Sequence, residues 1–179
     1  MEIETSRLII RDFRKEDWID VHTYASDPKV TEFMIWGPNS EDETKTYIEE
    51  QITKQQSVNR VDFEFGVILK ETSQFIGGCG IYIKERNAEI GYCFSPEYWG
   101  HGYATEASEA MLEFGFKQFH VHRVFATCRP GNHASANVMK RIGMKQEGHL
   151  REHMWHKGRY HDSYLFSILE HEYSQGNLR

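Results

Sequence analysis

The chain has 179 residues, of which 39% are hydrophobic and 27% are charged, and its formal net charge is −6. This length and apolar content suit one soluble domain over residues 1–179, and the acidic balance argues against a nucleic-acid partner that is bound through its phosphates. No apolar run approaches the ~18 residues that a membrane-crossing helix needs, so a membrane partner is not expected.

Two further features predict a cytoplasmic location. The N-terminus lacks the basic and apolar regions of a signal peptide. Cys79, Cys93 and Cys128 are odd in number and widely spaced, which is typical of reduced thiols rather than of a disulfide framework.

The first half of the chain predicts a strand, two helices and a meander. Residues 8–13 form the strand, and apolar residues at helical spacing predict a helix over 12–24 that stops at Asp27-Pro28. Ser40 and Glu43 make a capping box for a second helix that runs to about Val58. Period-two alternation and short turns then predict three antiparallel strands, at residues 63–69, 75–84 and 88–94.

The second half predicts a helix over 105–118, a strand over 123–128 and a helix over 134–142 that ends at Gly143 in a left-handed cap. Strands over 147–155 and 160–169 then pair as a hairpin. This mixture predicts the α+β (mixed α/β) class, with a twisted, mostly antiparallel sheet of about seven strands and about four helices.

Residues 90–107 read IGYCFSPEYWGHGYATEA and predict a strand, a glycine loop and the start of a helix. Such a turn points backbone N–H groups and the positive end of the helix dipole at one spot, and Gly100 and Gly102 let an anion approach closely. A P-loop would need Gly-Lys-Ser/Thr, and a dinucleotide fingerprint would need Gly or Ala at Thr105. From the glycines alone, a tight turn without a ligand stays open.

This loop resembles the acetyl-CoA pyrophosphate loop of the GCN5-related N-acetyltransferase (GNAT) superfamily. The sequence of residues 98–107 resembles that of the branch that includes the ribosomal-protein N-terminal acetyltransferases. About 30 residues later, residues 132–144 resemble the family's Asn-led segment beside the pantetheine arm. The order of elements also resembles the GNAT fold along nearly the whole chain.

The resemblance implies acetyl-CoA as cofactor, bound where a strand splays from its neighbour and frees backbone N–H groups around Phe94 for the pantetheine amides and the acetyl oxygen. Asn132 is expected to bond near the cofactor, and an N-cap role explains the same residue type. The predicted cofactor-binding residues are Cys93, Phe94, Ser95, Gly100, His101, Gly102, Tyr103, Ala104, Thr105, Asn132, Asn137 and Lys140.

The resemblance also implies the acid that protonates the departing thiolate. The tyrosine that many family members use falls at Met139, which cannot donate a proton. The serine of the ribosomal-protein branch falls at Ser135, which is therefore the predicted acid, acting mainly as a positioned hydrogen bond.

The general base is less well marked. A glutamate of a related branch falls at Met154, and Glu152 lies two residues earlier, on the same face of a regular strand. Glu152 is the predicted base, while Glu64, Glu89 and a water relay stay open as alternatives.

Four aromatic residues, Phe33, Trp36, Trp155 and Tyr160, are predicted to line the acceptor cleft, with a core role as the alternative. The chain has 10 histidines, but no pattern of three or four converging ligands, so no metal is expected.

Together these features predict an acetyl-CoA-dependent N-acetyltransferase in which an amine attacks the thioester directly in a ternary complex. The branch resemblance favours a protein N-terminal α-amine, of ribosomal type, as acceptor. A small amine, polyamine or aminoglycoside, or a non-catalytic CoA-binding sensor, are the alternatives, and homodimers are a further expectation from the family.

Overall fold

Eight strands form one mostly antiparallel sheet in the part of the chain that the computed structural model describes, residues 1–176. Their order across the sheet is β1-β2-β3-β4-β5-β6-β8-β7. The strands are β1 (Glu2–Glu4), β2 (Leu8–Asp12), β3 (Asp62–Leu69), β4 (Phe75–Lys84), β5 (Asn87–Phe94), β6 (Arg123–Cys128), β7 (Lys145–His156) and β8 (Arg159–Leu169).

Six α-helices accompany the sheet in these residues, so the α+β class is confirmed. They are α1 (Trp18–Ala25), α2 (Pro28–Thr31), α3 (Glu41–Gln55), α4 (Tyr103–Phe119), α5 (His133–Arg141) and α6 (Glu170–Gly176). Single 3-10 turns precede α1 and follow β5. Within residues 1–176, no helix has the length and hydropathy to cross a membrane.

The predicted counts of seven strands and four helices were too low because β1, α2 and α6 are short. β1 has three residues at the sheet edge, with Ile3 between two exposed glutamates, which is too few for a periodic signal. At α2 the same Asp-Pro pair that follows α1 also begins a new helix: the Asp27 side chain accepts a hydrogen bond from the Lys29 N–H at 2.8 Å, and Pro28 occupies the first turn.

The capping box that predicted α3 is present. The Ser40 hydroxyl accepts from the Glu43 N–H, and the Glu43 carboxylate accepts from the Ser40 N–H at 2.7 Å. The helix ends at Gln55, three residues before the predicted end near Val58, which is 98% exposed and has no packing to hold it in a helix.

Successive side chains along β3 to β5 point alternately to two packed layers, one on each face of the sheet. Phe63, Phe65 and Ile90 point to the face where Met111 of α4 is buried, in the larger core. The other face carries Cys93 and packs against a smaller core of Phe13, Tyr24 and Ile48, contributed mainly by α1 and α3. The strands are therefore covered on both sides near their centres, but by different helices.

β5 and β6 are parallel neighbours that separate after a short paired segment. β5 pairs with β6 only from Asn87–Arg123 to Glu89–Phe125. Among the described residues, β5 has no strand partner on this side from Ile90 onward. We call this opening the splay; it confirms the separation that the GNAT resemblance implied.

The terminal hairpin is confirmed, with one irregularity that bears on the site. β7 and β8 pair from Lys145–Ser167 to His156–Arg159, but the register shifts between Leu150 and Met154. Gly143, which precedes β7, has the predicted left-handed conformation with φ of +84°.

Candidate active site

The splay lies between the two loops that carry the sequence motifs. β5 leads through a 3-10 turn to α4, and β6 leads through a short turn to α5. Because β5 and β6 are parallel, their carboxyl ends point to one edge of the sheet, so α4 and α5 begin on either side of the opening. Ligands of sheets with parallel strands bind at such a point, where neighbouring strands lead to different helices.

The glycine loop has the backbone that the sequence predicted. Gly100 and Gly102 have φ of +80° and +82°, a region in which other residues are strained. No described atom lies within 4 Å of a Cβ built on Gly100. The N–H groups of Tyr103, Ala104 and Thr105 start α4, where no earlier helical turn supplies a carbonyl partner.

An ion pair braces this loop from the other end of the chain. The Arg7 guanidinium donates to the Glu106 carboxylate at 2.7 Å and to the His101 carbonyl oxygen at 3.0 Å. It also lies 4.6 Å from the centre of the Tyr103 ring. Arg7 was not predicted as part of the site because no local sequence pattern links it to Glu106, which is far away in the chain.

Glu106 is the acceptor in a dense set of hydrogen bonds. Its carboxylate accepts from the Thr5 hydroxyl at 2.6 Å, the Ser6 hydroxyl at 3.0 Å and the Arg7 N–H at 2.8 Å. Burial alone would raise the pKa of Glu106, but these hydrogen bonds outweigh it and the pKa is lowered. The carboxylate is thus held ionised behind the loop.

The end of β5 is fixed by two contacts that occupy groups near the predicted pantetheine site. The Trp99 indole N–H donates to the Phe94 carbonyl oxygen at 2.7 Å. The Ser95 N–H donates to the Ile76 carbonyl oxygen at 3.0 Å. The Ser95 N–H is therefore engaged in the sheet and is not free for a ligand.

Cys93 lies on β5 and is half-buried. Burial raises the pKa of its thiol to about 12, and the negative charge of Glu64 contributes in the same direction. A thiol held protonated is a poor nucleophile, which agrees with direct transfer rather than a covalent acetyl-enzyme.

The second motif forms the start of α5. The Asn132 side chain caps the helix by accepting from the Ser135 N–H at 3.0 Å, so the N-cap role is present. The Ser135 hydroxyl lies 2.9 Å from the Tyr92 hydroxyl, a partner that the sequence did not reveal. Met139 is fully buried in the larger core.

The side chains of Asn137 and Lys140 are exposed on α5. They remain available to a ligand that lies along the outer side of this helix.

Glu152 does not keep the strand geometry from which its role was predicted. The register shift places it in a bulge, and its φ is +49°. Its N–H donates to the Asp162 carboxylate at 2.9 Å, and its side chain is exposed. The prediction that Glu152 shares a face with Met154 is therefore wrong, because a bulge breaks the alternation of a strand.

The predicted acceptor-site aromatics lie on two segments. Phe33 follows α2 and sits next to the loop before α5, since a Cβ on Gly131 would lie 3.3 Å from its ring. Trp36 is 37% exposed nearby in sequence.

The other two aromatics, Trp155 and Tyr160, flank the hairpin tip, with ring centres 4.9 Å apart. They are 64% and 58% exposed, so they are not core residues. The Lys157 ammonium donates to the Thr31 carbonyl oxygen of α2. The structure thus joins the hairpin tip to the segment that leads to Phe33 and Trp36.

A cleft of about 730 Å³ opens on the face of the sheet that carries Cys93, beside the paired part of β5 and β6. Three carboxylates line it, from Asp62, Glu85 and Glu89, together with Lys84 and Arg123. Burial raises the pKa of Glu89.

Comparison with known proteins places this site in context. The profile of the family described as "Acetyltransferase (GNAT) domain" matches residues 7–145. A Bacillus subtilis (strain 168) protein named "Uncharacterized N-acetyltransferase YnaD" is 38% identical over 176 residues, which cover 97% of this chain and 100% of the relative. A GNAT-family acetyltransferase structure from Bacillus anthracis is 36% identical, with a TM-score of 0.85 over 96% of this chain and 99% of that one.

More distant structures share the fold. One is a Vibrio cholerae spermidine N-acetyltransferase in complex with CoA and spermine, 23% identical, with a TM-score of 0.80 over 95% of this chain and 99% of that one. Another is a ribosomal L7/L12 α-N-protein acetyltransferase in complex with coenzyme A, 19% identical, with a TM-score of 0.83 over 94% of this chain and 98% of that one.

Proposed function

The chain belongs to the GNAT family of acetyltransferases, and we propose that it transfers the acetyl group of acetyl-CoA to the free α-amine of a protein N-terminus. The main structural support for this proposal is the splay, with the glycine loop on one side and the Asn132-capped helix on the other. The proposed acceptor is a ribosomal protein, because residues 98–107 resemble the branch of ribosomal-protein N-terminal acetyltransferases.

The residues present fit acetyl-CoA. Gly100 leaves open space where a side chain would stand, a Cβ on Gly102 would lie 3.5 Å from Arg7 Nη2, and the start of α4 offers N–H donors and a positive dipole end for the pyrophosphate. Asn137 and Lys140 are placed to contact the cofactor along α5. When bound, acetyl-CoA supplies an activated acyl group on a thiol leaving group.

Ser135 is the residue that we assign to the leaving sulfur. Its oxygen lies 2.9 Å from the Tyr92 hydroxyl, so the oxygen is positioned before the reaction begins. A positioned hydroxyl donates a hydrogen bond to sulfur as charge develops there. The free edge of β5 beyond Glu89 offers N–H groups to the acetyl oxygen.

A protein N-terminus needs an open approach, and the exposed aromatics provide one. Trp155 and Tyr160 stand at the hairpin tip, and Lys157 links that tip to the segment before Trp36. Tyrosine and tryptophan side chains supply large, rigid contact surfaces at low conformational-entropy cost. The fold neighbour that acts on ribosomal L7/L12 supports this acceptor class.

A cationic small amine of the polyamine type is the second candidate. The cleft with Asp62, Glu85 and Glu89 favours it, because these three carboxyl groups outnumber the cations Lys84 and Arg123 in its lining and an excess of negative charge attracts ammonium groups. The spermidine acetyltransferase among the fold neighbours supports it as well.

Thiol release from acetyl-CoA separates these candidates. The probes are a lysine-free peptide with an N-terminal alanine, the same peptide with a blocked N-terminus, and spermidine. The proposal predicts at least about tenfold faster release with the free peptide than with either other probe. Faster release with spermidine would favour the second candidate. Cofactor binding without release from any probe would contradict both and favour a CoA sensor.

A further inference from the structure

We propose that Glu64 is the general base, which accepts the proton that the acceptor ammonium loses before it attacks. This inference rests on the proposed acetyl transfer to an amine and adds the residue that makes the amine nucleophilic. Glu64 lies on β3, two strands away from the splay, at the end of a trough floored by Gly80 and Gly91.

The trough follows from strand register. Glu64 pairs with Gly80 of β4, and Gly80 pairs with Gly91 of β5, so the three residues form one row across the sheet. The next row on the same face of the sheet contains Gly66, Gly78 and Cys93. Two glycines in the Glu64 row leave the surface of the sheet bare between the carboxylate and β5.

The carboxylate lies over this bare floor. A Cβ built on Gly80 would lie 2.8 Å from Glu64 Oε2, so any side chain there would displace the carboxylate. No described atom lies within 4 Å of a Cβ on Gly91. There is thus room for a ligand above Gly91, directly beside the carboxylate.

The distances suit proton transfer. Adjacent strands are about 4.8 Å apart, so a carboxylate above β4 is about one strand spacing from β5. Gly91 is also beyond Glu89, the last residue of β5 that pairs with β6. An amine above Gly91 therefore lies between the Glu64 carboxylate and the thioester position in the splay, at a separation that one bridging water spans in general-base catalysis.

Tyrosine hydroxyls hold the carboxylate in place. The Tyr82 hydroxyl of β4 donates to Glu64 Oε1, and a hydrogen bond from Tyr47 of α3 also reaches the carboxylate. Glu64 is only partly exposed, so its carboxylate sits in a recess that remains open to a ligand.

This setting strengthens Glu64 as a base. Burial raises the pKa of Glu64, and the charge of Asp62 on the same strand adds to the rise. Hydrogen bonds from Tyr82 and from Tyr47 of α3, with the charge of Lys54 on α3, lower the pKa but do not cancel the rise. A carboxylate with a raised pKa takes a proton from an ammonium more readily.

Glu89 of β5 faces the same side and has its own raised pKa, also caused by burial. It stands in the row with Tyr82 and Phe125, where β5 and β6 are still paired. Glu64 shares its row with Gly91, which lies past the paired segment. The geometry therefore favours Glu64 over Glu89.

The acceptor ammonium gives one N–H proton to the Glu64 carboxylate, which becomes a carboxylic acid. The freed nitrogen lone pair forms a bond to the acetyl carbonyl carbon, and the carbon–sulfur bond breaks with its electron pair moving to sulfur. The second proton of the attacking nitrogen passes to that sulfur, directly or through the Ser135 hydroxyl. Glu64 then returns its proton to solvent.

The test compares Glu64→Gln with Glu89→Gln and with Glu71→Gln, an exposed control in the β3–β4 turn. The rate is followed as thiol release with the N-terminal alanine peptide and with spermidine. Glu64→Gln is expected to lower kcat by about 10²-fold or more and to remove the acidic limb of the pH profile, with the KM for acetyl-CoA unchanged. Glu71→Gln is expected to behave as wild type.

A second variant separates a chemical role from a structural one. The Tyr82 hydrogen bond lowers the pKa of Glu64, so Tyr82→Phe raises that pKa and shifts the acidic limb to higher pH. If Glu64→Gln does not fold, the shift of the acidic limb in Tyr82→Phe becomes the deciding measurement.

Three outcomes overturn the inference. The first is a Glu64→Gln enzyme with the wild-type kcat and acidic limb, and the second is a limb that disappears in Glu89→Gln instead. The third is an acidic limb that Tyr82→Phe leaves in place. An absence of thiol release by the wild-type enzyme with both probes overturns the proposed function itself, and this inference with it.

Discussion

The Tyr92 hydroxyl lies 2.9 Å from the Ser135 hydroxyl and 3.1 Å from the Ser135 carbonyl oxygen. One phenol on β5 thus reaches the first turn of α5, on the other side of the splay. Burial raises the pKa of Tyr92, so the phenol stays neutral and keeps its proton to donate. When the phenol donates to the Ser135 oxygen, the serine proton is free to point to a third atom.

Ser135→Ala tests whether that third atom is the leaving sulfur. We expect kcat to fall about tenfold while the Kd for acetyl-CoA changes less than about twofold, because a hydroxyl acts on the charge that develops at sulfur and less on the bound ground state. Steady-state thiol release and calorimetry measure the two quantities. Turnover equal to wild type would remove Ser135 from the acid role.

Tyr92→Phe is the matched probe of the pair. It keeps the ring and removes only the hydroxyl that orients Ser135. We expect a smaller loss of kcat than in Ser135→Ala, and little additional loss when both changes are combined, because the phenol acts through the serine. Additive losses in the double variant would show that the two hydroxyls act independently.

Gly102→Glu should abolish acetyl-CoA binding. The change places bulk and negative charge beside the predicted pyrophosphate position, and it strains a backbone with φ of +82°. Gly143→Ala is the control, since Gly143 has a similar φ of +84° but lies after α5, outside the glycine loop. The control should lose about 1 kcal/mol of stability and keep its affinity for acetyl-CoA. Tight binding of acetyl-CoA by folded Gly102→Glu would contradict the assignment of the loop.

The hydrogen bonds to the Glu106 carboxylate behind the glycine loop predict that its contribution to folding stability depends on pH. Hydrogen bonds lower the pKa of Glu106 in the folded state, so its carboxylate stabilises the fold above the unfolded pKa of about 4.3. That contribution is lost as the pH falls through the lower, folded pKa. Glu106→Gln should therefore be less stable than wild type at neutral pH, and the difference should shrink on acidification. A difference that is constant from about pH 7 to about pH 3 in thermal melts would contradict this.

The burial of His156 predicts that the stability of the fold depends on pH in the neutral range. It is 7% exposed, and neither ring nitrogen has a hydrogen-bond partner among residues 1–176. Burial lowers the pKa of His156, and the nearby charges of His161 and Arg129 contribute. The unfolded state then binds the extra proton as the pH falls below about 6.5, which favours unfolding.

His156→Phe removes this titration. Its melting temperature should fall less than that of wild type between about pH 7.5 and about pH 5.5. His122→Phe is a matched control, because His122 is exposed. Parallel pH dependence of His156→Phe and wild type would contradict the role of buried His156.

Local features of the site were predictable from the sequence. Gly100, Gly102 and Gly143 were found because a left-handed turn is a requirement of one residue and its neighbours. Asn132 as a cap and the Ser40 capping box are local in the same sense. Each depends on residues within one turn of helix, so the sequence contains the whole signal.

The features that were missed depend on pairing between distant segments. The row of Glu64, Gly80 and Gly91 exists only because three strands pair in one register. Glu152 was chosen by assuming a regular strand, and the bulge that changes its direction leaves no clear mark in the sequence. Arg7 and Glu106 are almost a hundred positions apart in the chain, and only the fold brings them together.

The most direct test of the account is calorimetric titration of the wild-type protein with acetyl-CoA and with CoA. Both ligands are expected to bind at one site per chain, through the glycine loop and the free edge of β5. Gly102→Glu is expected to bind neither, while Gly143→Ala is expected to bind both. No heat of binding from folded wild-type protein with either ligand would contradict the assignment of the splay as the cofactor site.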